Sequence, residues 1–540
     1  MIGEPDLGLL QNQFLLSAQR FPLHAAISLN GVTHTYQEID HLAATWAGAL
    51  REAVGGRPQR VGVLANKDLT AYAGILAALG SGATVVPLNP GFPATRSRAM
   101  LRAARPDVII TGDRSADRIR ELVSGLDDPP QLVMPFARSP FPADHAARAP
   151  VLDAAAVSAH ASTKLPEPAD DGRPAYLLFT SGTTGEPKGI PISHANVTHF
   201  LQVAAERYGF TADDRFSQTF DQTFDLSFFD MFMSWRSGGC LFPMGPGQLL
   251  EPVRFIQRND LTVWFSVPSV VALMRRRGLL RPGRLPSLRW SLFCGEALPD
   301  SFARMWHEAA PHSVVENLYG PTEVTIACLR HRWRPERSPG LVRNGSVPIG
   351  KANRGLRCAV VDDALRPVSA GTDGELCVAG PQVFAGYWDQ PEATRSALVR
   401  IADGADALES VWYRTGDIVR ELDGGEYTFV GRRDGQVKVG GYRVEISEIE
   451  ATLNAQPGVS QSVVVLAATP EGEASQLVAF VVPESPGTGL SNDLAAAVRA
   501  VLPHYMVPSR WVSVDQLPLN VNGKVDRTAL RELAERDGRQ

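Results

Sequence analysis

A dense run of glycines and hydroxyl residues between positions 180 and 189 is the part of the sequence best suited to chemistry. It follows the apolar residues 177–179, which predict a buried strand, and a flexible linker would not be expected to start there. Glycines let backbone amides turn toward an anion, hydroxyls add donors and a lysine adds positive charge. The spacing differs from the GxxxxGK[ST] of a P-loop. We therefore predict a triphosphate-binding loop made of Thr180, Ser181, Gly182, Thr183, Thr184, Gly185, Lys188 and Gly189.

Five further motifs follow this loop. They are LYGPTE at 318–323, YRTGD at 413–417, GRRD at 431–434, QVKVGGYRVE at 436–445 and NGKVDR at 522–527. Together with the loop they resemble the superfamily of acyl-CoA synthetases, luciferases and peptide-synthetase adenylation domains. The resemblance covers nearly the whole chain, and this many motifs in one order leave little room for another fold.

The resemblance implies a nucleotide site for ATP and Mg²⁺. In that family Tyr319 would stack on adenine, Thr322 would contact the α-phosphate, Glu323 would hold Mg²⁺, and Asp417 with Arg432 would bind the ribose hydroxyls. An aromatic face suits a purine and a carboxylate suits a hard cation. The alternatives are a core aromatic for the tyrosine and a turn residue for the aspartate. Two residues of the segment 292–296 are also assigned to the nucleotide, Gly295 and Glu296.

Three residues near the C-terminus carry the implied mechanism. Lys524 would lie between the substrate carboxylate and the α-phosphate, where its charge stabilises displacement of pyrophosphate. Alone it would be taken for a surface lysine. The C-terminal domain would then rotate about Asp434 and present a hairpin containing Lys438 to a phosphopantetheine arm. Asp434 before a glycine also fits an ordinary turn.

Asp225 is the residue that points to the substrate class. The segment 222–233 resembles the pocket entrance of the amino-acid-activating branch, in which a carboxylate at this position binds the α-ammonium group. Burying such a pair disfavours acids without the amine, because the carboxylate would be left unpaired. The alternative is that Asp225 caps the following helix.

The pocket positions carried over from that branch contain no charge besides Asp225 and little free volume. They favour a small, mostly apolar side chain, with alanine first and glycine, serine or cysteine as alternatives; the stereochemistry stays open. The segment 292–296 also resembles D-alanine carrier-protein ligases. The remaining predicted pocket residues are Phe224, Leu226, Phe229, Phe265, Leu292, Cys294, Leu318, Ile326 and Ala327.

The expected acceptor is the phosphopantetheine thiol of a separate carrier protein, since no carrier-type Gly-Gly-x-Ser segment or condensation-type His-His-x-x-x-Asp segment occurs. Two other functions compete with this interpretation. One is an acid–CoA ligase, and the other is a non-catalytic nucleotide-binding relative. The joint presence of Lys188, Glu323, Asp417, Arg432 and Lys524 argues against the latter.

The elements that must position these residues alternate between helix and strand. Periodicity predicts a helix at 36–50 and strands at 60–65 and 83–88, hence parallel α/β layers. A second α/β unit is expected from about 174 to 330, a surface loop or crossover at 139–168, and a small β-barrel or distorted sheet from about 345 to 430. The fold class is therefore mixed α/β and α+β, with an adenylate-forming domain at 1–431 and a small mobile α+β domain at 436–540.

Composition bounds the remaining possibilities. The 540 residues are 44% hydrophobic and 21% charged with a net charge of -5, so nucleic-acid binding is not indicated. The five cysteines form no CxxC pair and indicate neither disulfides nor a zinc site. Without a signal sequence or an apolar stretch of about 20 residues, we expect a cytoplasmic protein that makes no use of a membrane.

Overall fold

The computed structural model describes most of the chain. Within it, elements and contacts are defined for residues 8–137, 151–160, 172–180, 187–245, 247–401, 411–433, 436–469, 475–484, 492–518 and 525–537.

The larger of two parallel sheets has nine strands. Its central strands are buried along their whole length, as in Val263–Ser266 and Trp290–Phe293, because layers cover both faces. The strands at its two ends run antiparallel to their neighbours. In spatial order they are Lys351–Ala352, Leu329–Arg332, Val314–Tyr319, Trp290–Phe293, Val263–Ser266, Arg215–Gln218, Cys240–Pro243, Ala25–Leu29 and Val32–Thr35.

The second sheet has seven strands and ends at the phosphate loop. Its last strand pairs antiparallel with the one before it, and the others are parallel. In spatial order they are Val151–Leu152, Gln131–Val133, Val108–Thr111, Arg60–Leu64, Thr84–Leu88, Pro174–Thr180 and Lys188–Ser193.

The two sheets exchange strands, which corrects the expected division of the chain. We expected a second α/β unit to begin near 174, but Pro174–Thr180 and Lys188–Ser193 complete the seven-stranded sheet. Conversely, the hairpin of Ala25–Leu29 and Val32–Thr35 closes the nine-stranded sheet. Of these four strands only the one around 177–179 was predicted, and the sequence did not show which sheet it joins.

The segment 139–168, expected to be a surface loop or crossover, contains regular elements in the part that the structure describes. Val151–Leu152 is an edge strand, and Ala154–Ser158 is a short helix whose first turn is capped by the Asp153 carboxylate. Elements of two and five residues are too short to leave a periodic pattern in the sequence.

Two helices form the buried layer between the sheets. In Leu69–Ser81 every residue from 70 onward is buried, and in Leu226–Ser237 every residue through 235 is buried. Helices that are apolar all round belong in the core of a large protein. Tyr72 of the first helix donates a hydrogen bond to Gln218 at the end of a strand of the nine-stranded sheet, and Phe228 of the second stacks on Tyr176 of the seven-stranded sheet. One continuous core therefore joins both sheets.

The remaining helices cover the outer faces. Tyr36–Ala53 begins with a capping box in which Thr35 and Glu38 bond each other's backbone amides. The other α-helices are Asn12–Arg20, Ala94–Ala104, Ala116–Val123, His194–Tyr208, Pro252–Arg258, Pro268–Arg276, Asp300–Ala309, Ser338–Leu341, Pro391–Ala397, Ile446–Asn454, Asn492–Val501 and Arg527–Asp537, and the 3₁₀ turns are Asp113–Ser115, Gln248–Leu250, Thr322–Val324 and His504–Met506.

A distorted antiparallel sheet of five strands follows, as predicted. Its register shifts between Glu375 and Cys377 and again between Ile418 and Val419. The strands are Arg357–Val361, Asp373–Ala379, Leu398–Val399, Trp412–Leu422 and Glu426–Arg432.

The C-terminal part is a small α+β unit with its own core. The hairpin of Val437–Val439 and Tyr442–Val444 precedes a three-stranded sheet of Val459–Ala468, Ser475–Pro483 and Arg510–Ser513. The predicted hairpin and the predicted α+β character are both present. The domain boundary near 434 stays a prediction, since residues 434–435 lie outside the described part of the chain.

Two expectations from composition can be compared with the structure. All five cysteines are free, so the structure contains no disulfide among them. None of the helices in the described ranges combines the length and apolar character that crossing a bilayer requires.

A pair of glycines tests how tightly the chain before Lys351–Ala352 packs against the neighbouring strand Leu329–Arg332 of the nine-stranded sheet. Gly350 and Gly345 both have positive φ (86° and 74°), but a Cβ on Gly350 would lie 1.7 Å from the Arg330 carbonyl oxygen, whereas Gly345 has no atom within 4 Å. Gly345→Ala should cost about 1–2 kcal/mol of stability from its backbone conformation. Gly350→Ala should cost several times more, as measured by the midpoint of thermal unfolding. Equal midpoints would contradict this close packing.

Candidate active site

A cavity lies where the ends of both large sheets meet the C-terminal hairpin. It encloses about 860 Å³ of empty space, part of it open to solvent. Many residues predicted from separate motifs line this one space. They are Thr180, Phe224, Asp225, Leu226, Cys294, Gly295, Thr322, Asp417, Arg432 and Lys438.

Asp225 is a buried carboxylate at the wall of this cavity. It precedes Leu226–Ser237, but its side chain makes no capping hydrogen bond, so the helix-cap alternative is wrong. Instead Oδ2 accepts a hydrogen bond from the Ile326 amide at 3.3 Å. Burial raises the pKa of Asp225 to about 7, although hydrogen bonds from Thr322 and from Ile326 act in the opposite direction. Among the described residues no salt bridge to Asp225 is formed, although Arg432 and Lys438 line the same cavity.

Some of the predicted pocket residues line the cavity together with Asp225. Phe224, Leu226 and Cys294 line the cavity with it. Burial raises the pKa of the Cys294 thiol to about 12, so the thiol stays uncharged near neutral pH. The other predicted pocket residues are buried without lining the cavity; these are Phe229, Phe265, Leu292, Leu318, Ile326 and Ala327.

Tyr319, Asp417 and Arg432 meet at the next part of the wall. The Tyr319 hydroxyl donates to Asp417 Oδ2, and Arg432 Nη1 donates to Oδ1 at 2.5 Å. Both carboxylate oxygens therefore have a partner, and each keeps a lone pair for a further donor. The Lys438 ammonium lies 5.9 Å from the centre of the Tyr319 ring. The structure brings together the three side chains that were predicted to bind adenosine.

Glu323 makes an ion pair with the C-terminal hairpin. Arg443 Nη1 donates to both of its carboxylate oxygens, at 2.9 and 3.1 Å, and the Tyr387 hydroxyl donates to Oε1 at 2.8 Å. Burial alone would raise the pKa of Glu323, but these partners hold it below its ordinary value. Lys188 lies nearby, with its ammonium 5.5 Å from the centre of the Tyr387 ring.

A buried glutamine connects these two carboxylates. Gln436 Oε1 accepts from Arg432 at 2.6 Å and from Arg443 at 2.7 Å, and its amide nitrogen donates to Glu445. Hydrogen bonds thus run without a break from Asp417 to Glu323 through the C-terminal unit. The motif at 436–445 marked this segment as important, but Glu323, the carboxylate that Arg443 pairs with, belongs to a distant motif, so this connection was not predicted.

The hairpin also closes against the amino-acid side of the cavity. The Gly441 amide donates to Glu296 Oε1 at 2.9 Å, and the Ser269 amide donates to Oε2 at 2.9 Å. Tyr442 stacks on Tyr505, with ring centres 3.8 Å apart. Glu296 was assigned to the nucleotide, and in this arrangement its carboxylate instead holds the hairpin.

Several predicted residues cannot be placed. Lys524, the hinge candidate Asp434, and Ser181, Gly182, Thr183 and Thr184 of the phosphate loop lie outside the described residues, so their roles stay predictions.

Glu323 is the one residue predicted to bind Mg²⁺. In the described part of the chain no cluster of three or more His, Cys, Asp or Glu side chains could hold a metal. Mg²⁺ commonly binds one or two carboxylates together with substrate phosphates, so one carboxylate beside a triphosphate loop fits it. Arg443 would first have to leave Glu323.

Comparison with known proteins gives the family. Residues 14–388 match the AMP-binding enzyme family, and residues 448–524 match the AMP-binding enzyme C-terminal domain. The chain is 34% identical over 521 residues to the phosphinothricin tripeptide synthetase PhsC of Streptomyces viridochromogenes, an alignment that covers 95% of this chain and 44% of that protein. The chain therefore spans less than half the length of this relative.

Solved structures of similar length support the same family assignment. The crystal structure of IdnL7 is 38% identical with a TM-score of 0.72, and the alignment covers 98% of this chain and 99% of that one. The Vibrio cholerae adenylation domain AlmE, solved with glycyl-adenosine-5'-phosphate, is 31% identical with a TM-score of 0.85, covering 99% and 98%. The chain is thus a member of the AMP-binding enzyme family and has the fold of an adenylation domain, with a large N-terminal and a small C-terminal domain.

Proposed function

We propose that this protein activates a small, mostly apolar α-amino acid with ATP and transfers it to the phosphopantetheine thiol of a separate carrier protein. The observation that carries this proposal is the position of Asp225. Its carboxylate is buried at the cavity wall and does not cap its helix, and burial raises its pKa to about 7.

An α-ammonium group is the ligand that this carboxylate suits. It would supply the missing charge, and the pKa of Asp225 would fall on binding. A fatty or aryl acid would leave the charge uncompensated in a dry site, which is unfavourable. This argues against an acid–CoA ligase, the nearest alternative.

The size of the pocket supports a small side chain. Leu226 and Cys294 line the cavity near Asp225, and Phe229 and Phe265 pack edge to face behind it with ring centres 5.2 Å apart. Alanine is our first choice, with glycine, serine and cysteine as alternatives. AlmE, whose structure holds a glycyl adenylate, supports the small end of this range.

The first half-reaction would join the amino acid to AMP. The substrate carboxylate is already ionised at neutral pH, so it can attack the α-phosphorus without a general base, and pyrophosphate leaves. Tyr319, Asp417 and Arg432 would hold the adenosine, Thr180 and Lys188 the phosphates, and Thr322 the α-phosphate. Lys524 would stabilise the negative charge that develops there. Mg²⁺ at Glu323 would neutralise part of the phosphate charge.

The second half-reaction suits the arrangement in which the hairpin closes the cavity. The carrier thiol would attack the acyl carbon and AMP would leave. Arg443 would neutralise Glu323 in this arrangement, whereas Mg²⁺ would do so during adenylation. The Glu323 carboxylate would thus bind Mg²⁺ during adenylation and Arg443 during transfer. This alternation would couple the position of the C-terminal domain to the stage of the reaction.

The first prediction concerns substrate choice. ATP–pyrophosphate exchange should depend on an amino acid, with alanine or another small residue best and Phe, Trp, Arg and Glu poor. A panel of amino acids and fatty acids measures this. A preference for a bulky aromatic amino acid or for a fatty acid would contradict the proposal.

The second prediction concerns pH. Only the ionised form of Asp225 attracts an ammonium group, so kcat/KM for the amino acid should fall as the pH drops through about 7. The affinity for ATP should not follow this step. Asp225→Asn should lower activity and remove the step from the profile, while a step retained in this variant would assign it to another group.

The third prediction separates the half-reactions. Arg443→Met removes one partner of a buried ion pair, so transfer to the carrier should slow by about a hundredfold while pyrophosphate exchange persists. Lys524→Ala should have the opposite effect. Arg499→Met, on an exposed face of the C-terminal unit, is the matched control. Equal losses in both half-reactions for Arg443→Met, in a folded protein, would contradict the role of the hairpin.

A further inference from the structure

The backbone turns sharply beside Asp225. Thr325 and Ile326 are consecutive residues with positive φ, 58° and 69°. The Ala327 amide donates to the Thr325 carbonyl at 2.8 Å, which closes a three-residue turn around Ile326. β-Branched residues rarely adopt positive φ, and γ-turns of this hand are strained. Such strain persists only where the surroundings impose it, and it is concentrated at functional sites.

The turn determines where one backbone amide points. Because of it, the Ile326 amide donates to Asp225 Oδ2 at 3.3 Å. Thr322, which also hydrogen-bonds Asp225, begins the 3₁₀ turn that leads into this segment. A relaxed backbone at 325–326 would move the amide away from the carboxylate and change the shape of the pocket.

Gln382 holds this turn in place. Its side-chain nitrogen lies within hydrogen-bond distance of three carbonyl oxygens, those of Val324 at 3.1 Å, Thr325 at 3.3 Å and Ala327 at 3.0 Å. In return, the Thr325 hydroxyl donates to the Gln382 backbone carbonyl at 2.6 Å. One side chain thus binds the residue before the turn, Val324, and the first and last residues of the turn, Thr325 and Ala327.

Asn353 supports the same arrangement from the other side. Its Nδ2 donates to the Ala327 carbonyl at 2.8 Å and contacts Gln382 Oε1 at 3.3 Å. The side chain of Arg207 in turn donates to its Oδ1 at 2.7 Å. Gln382 is fully buried and Asn353 nearly so, and burying amides is unfavourable unless their hydrogen bonds are made. The side-chain nitrogen of Gln382 is directed at the strained turn, while its Oε1 accepts a hydrogen bond from Asn353.

We infer that Gln382 is a positioning residue for recognition of the amino acid. It holds the turn at 325–326 so that the Ile326 amide and the Asp225 carboxylate together receive the α-ammonium end of the substrate. Gln382 itself touches neither substrate nor nucleotide. This inference rests on the proposed amino-acid activation and identifies what makes that pocket rigid.

Two variants of the same length test the inference. Gln382→Met removes the donors, and Gln382→Glu replaces the donating nitrogen by an oxygen that repels the three carbonyls. Gln257→Met is the control, because Gln257 also donates from its side chain to a carbonyl, that of Arg284, but on an exposed face. Each variant is assayed for pyrophosphate exchange with the preferred amino acid and with the same acid lacking its amine. The affinity for ATP and the thermal midpoint are measured alongside.

The expected result is a rise of about tenfold in KM for the amino acid with Gln382→Met, and a larger rise with Gln382→Glu. The affinity for ATP should be unchanged, and preference for the amine-bearing acid should fall. Unchanged KM and preference in a folded Gln382→Met protein would overturn the inference, as would equal loss of ATP affinity. If the unmodified protein shows no exchange with any amino acid, the proposed function itself fails.

Discussion

The buried ion pair between Arg443 and Glu323 is the contact on which this arrangement of the active site depends. A carboxylate that is 1% exposed needs a cation nearby, and here the C-terminal hairpin supplies it. The same hairpin binds Asp417 through Gln436 and Arg432, and Glu296 through the Gly441 amide. Removing one partner of a buried pair is much less favourable than replacing both, so any departure of the hairpin requires another cation at Glu323.

The buried carboxylate on the amino-acid side of the cavity, unlike Glu323, has no arginine paired with it in the described part of the chain. Asp225 is buried and forms no salt bridge with a described residue, and its raised pKa reflects the unfavourable energy of that burial. The fold buries the charged carboxylate of Asp225. Next to it lies the strained turn at 325–326, which the side-chain amides of Gln382 and Asn353 hold in place. The buried carboxylate and the strained turn both lower the free energy of unfolding of the protein, as is usual for a preorganised site. A substrate ammonium group would relieve the first of them.

The family motifs predicted which distant residues share the nucleotide site, but not how the strands pair or which residues support the site. The motifs predicted that Asp417, Arg432 and Tyr319 share a site, and the structure brings them together. Most elements with clear periodicity were also predicted. The exchange of strands between the two sheets was missed, because a strand pattern does not specify its partner.

The supporting residues were missed for the same reason. Gln382 lies outside the motifs considered, and its partners at 324–327 are more than 50 residues away. Arg443 and Gln436 belong to a recognised motif, but their roles depend on contacts across two structural units. Backbone strain at Thr325 and Ile326 has no sequence signal, since β-branched residues argue against positive φ. Local patterns predict elements, and the tertiary structure determines how a site is held.

The most direct test of the central claim is to detect the product of the first half-reaction. The purified protein, incubated with ATP, Mg²⁺ and a mixture of amino acids and amine-free acids, is analysed by mass spectrometry for acyl adenylates. The account predicts an adenylate of a small amino acid, with alanine first, and no adenylate of propionate. Adenylates formed only from acids that lack the amine would contradict it.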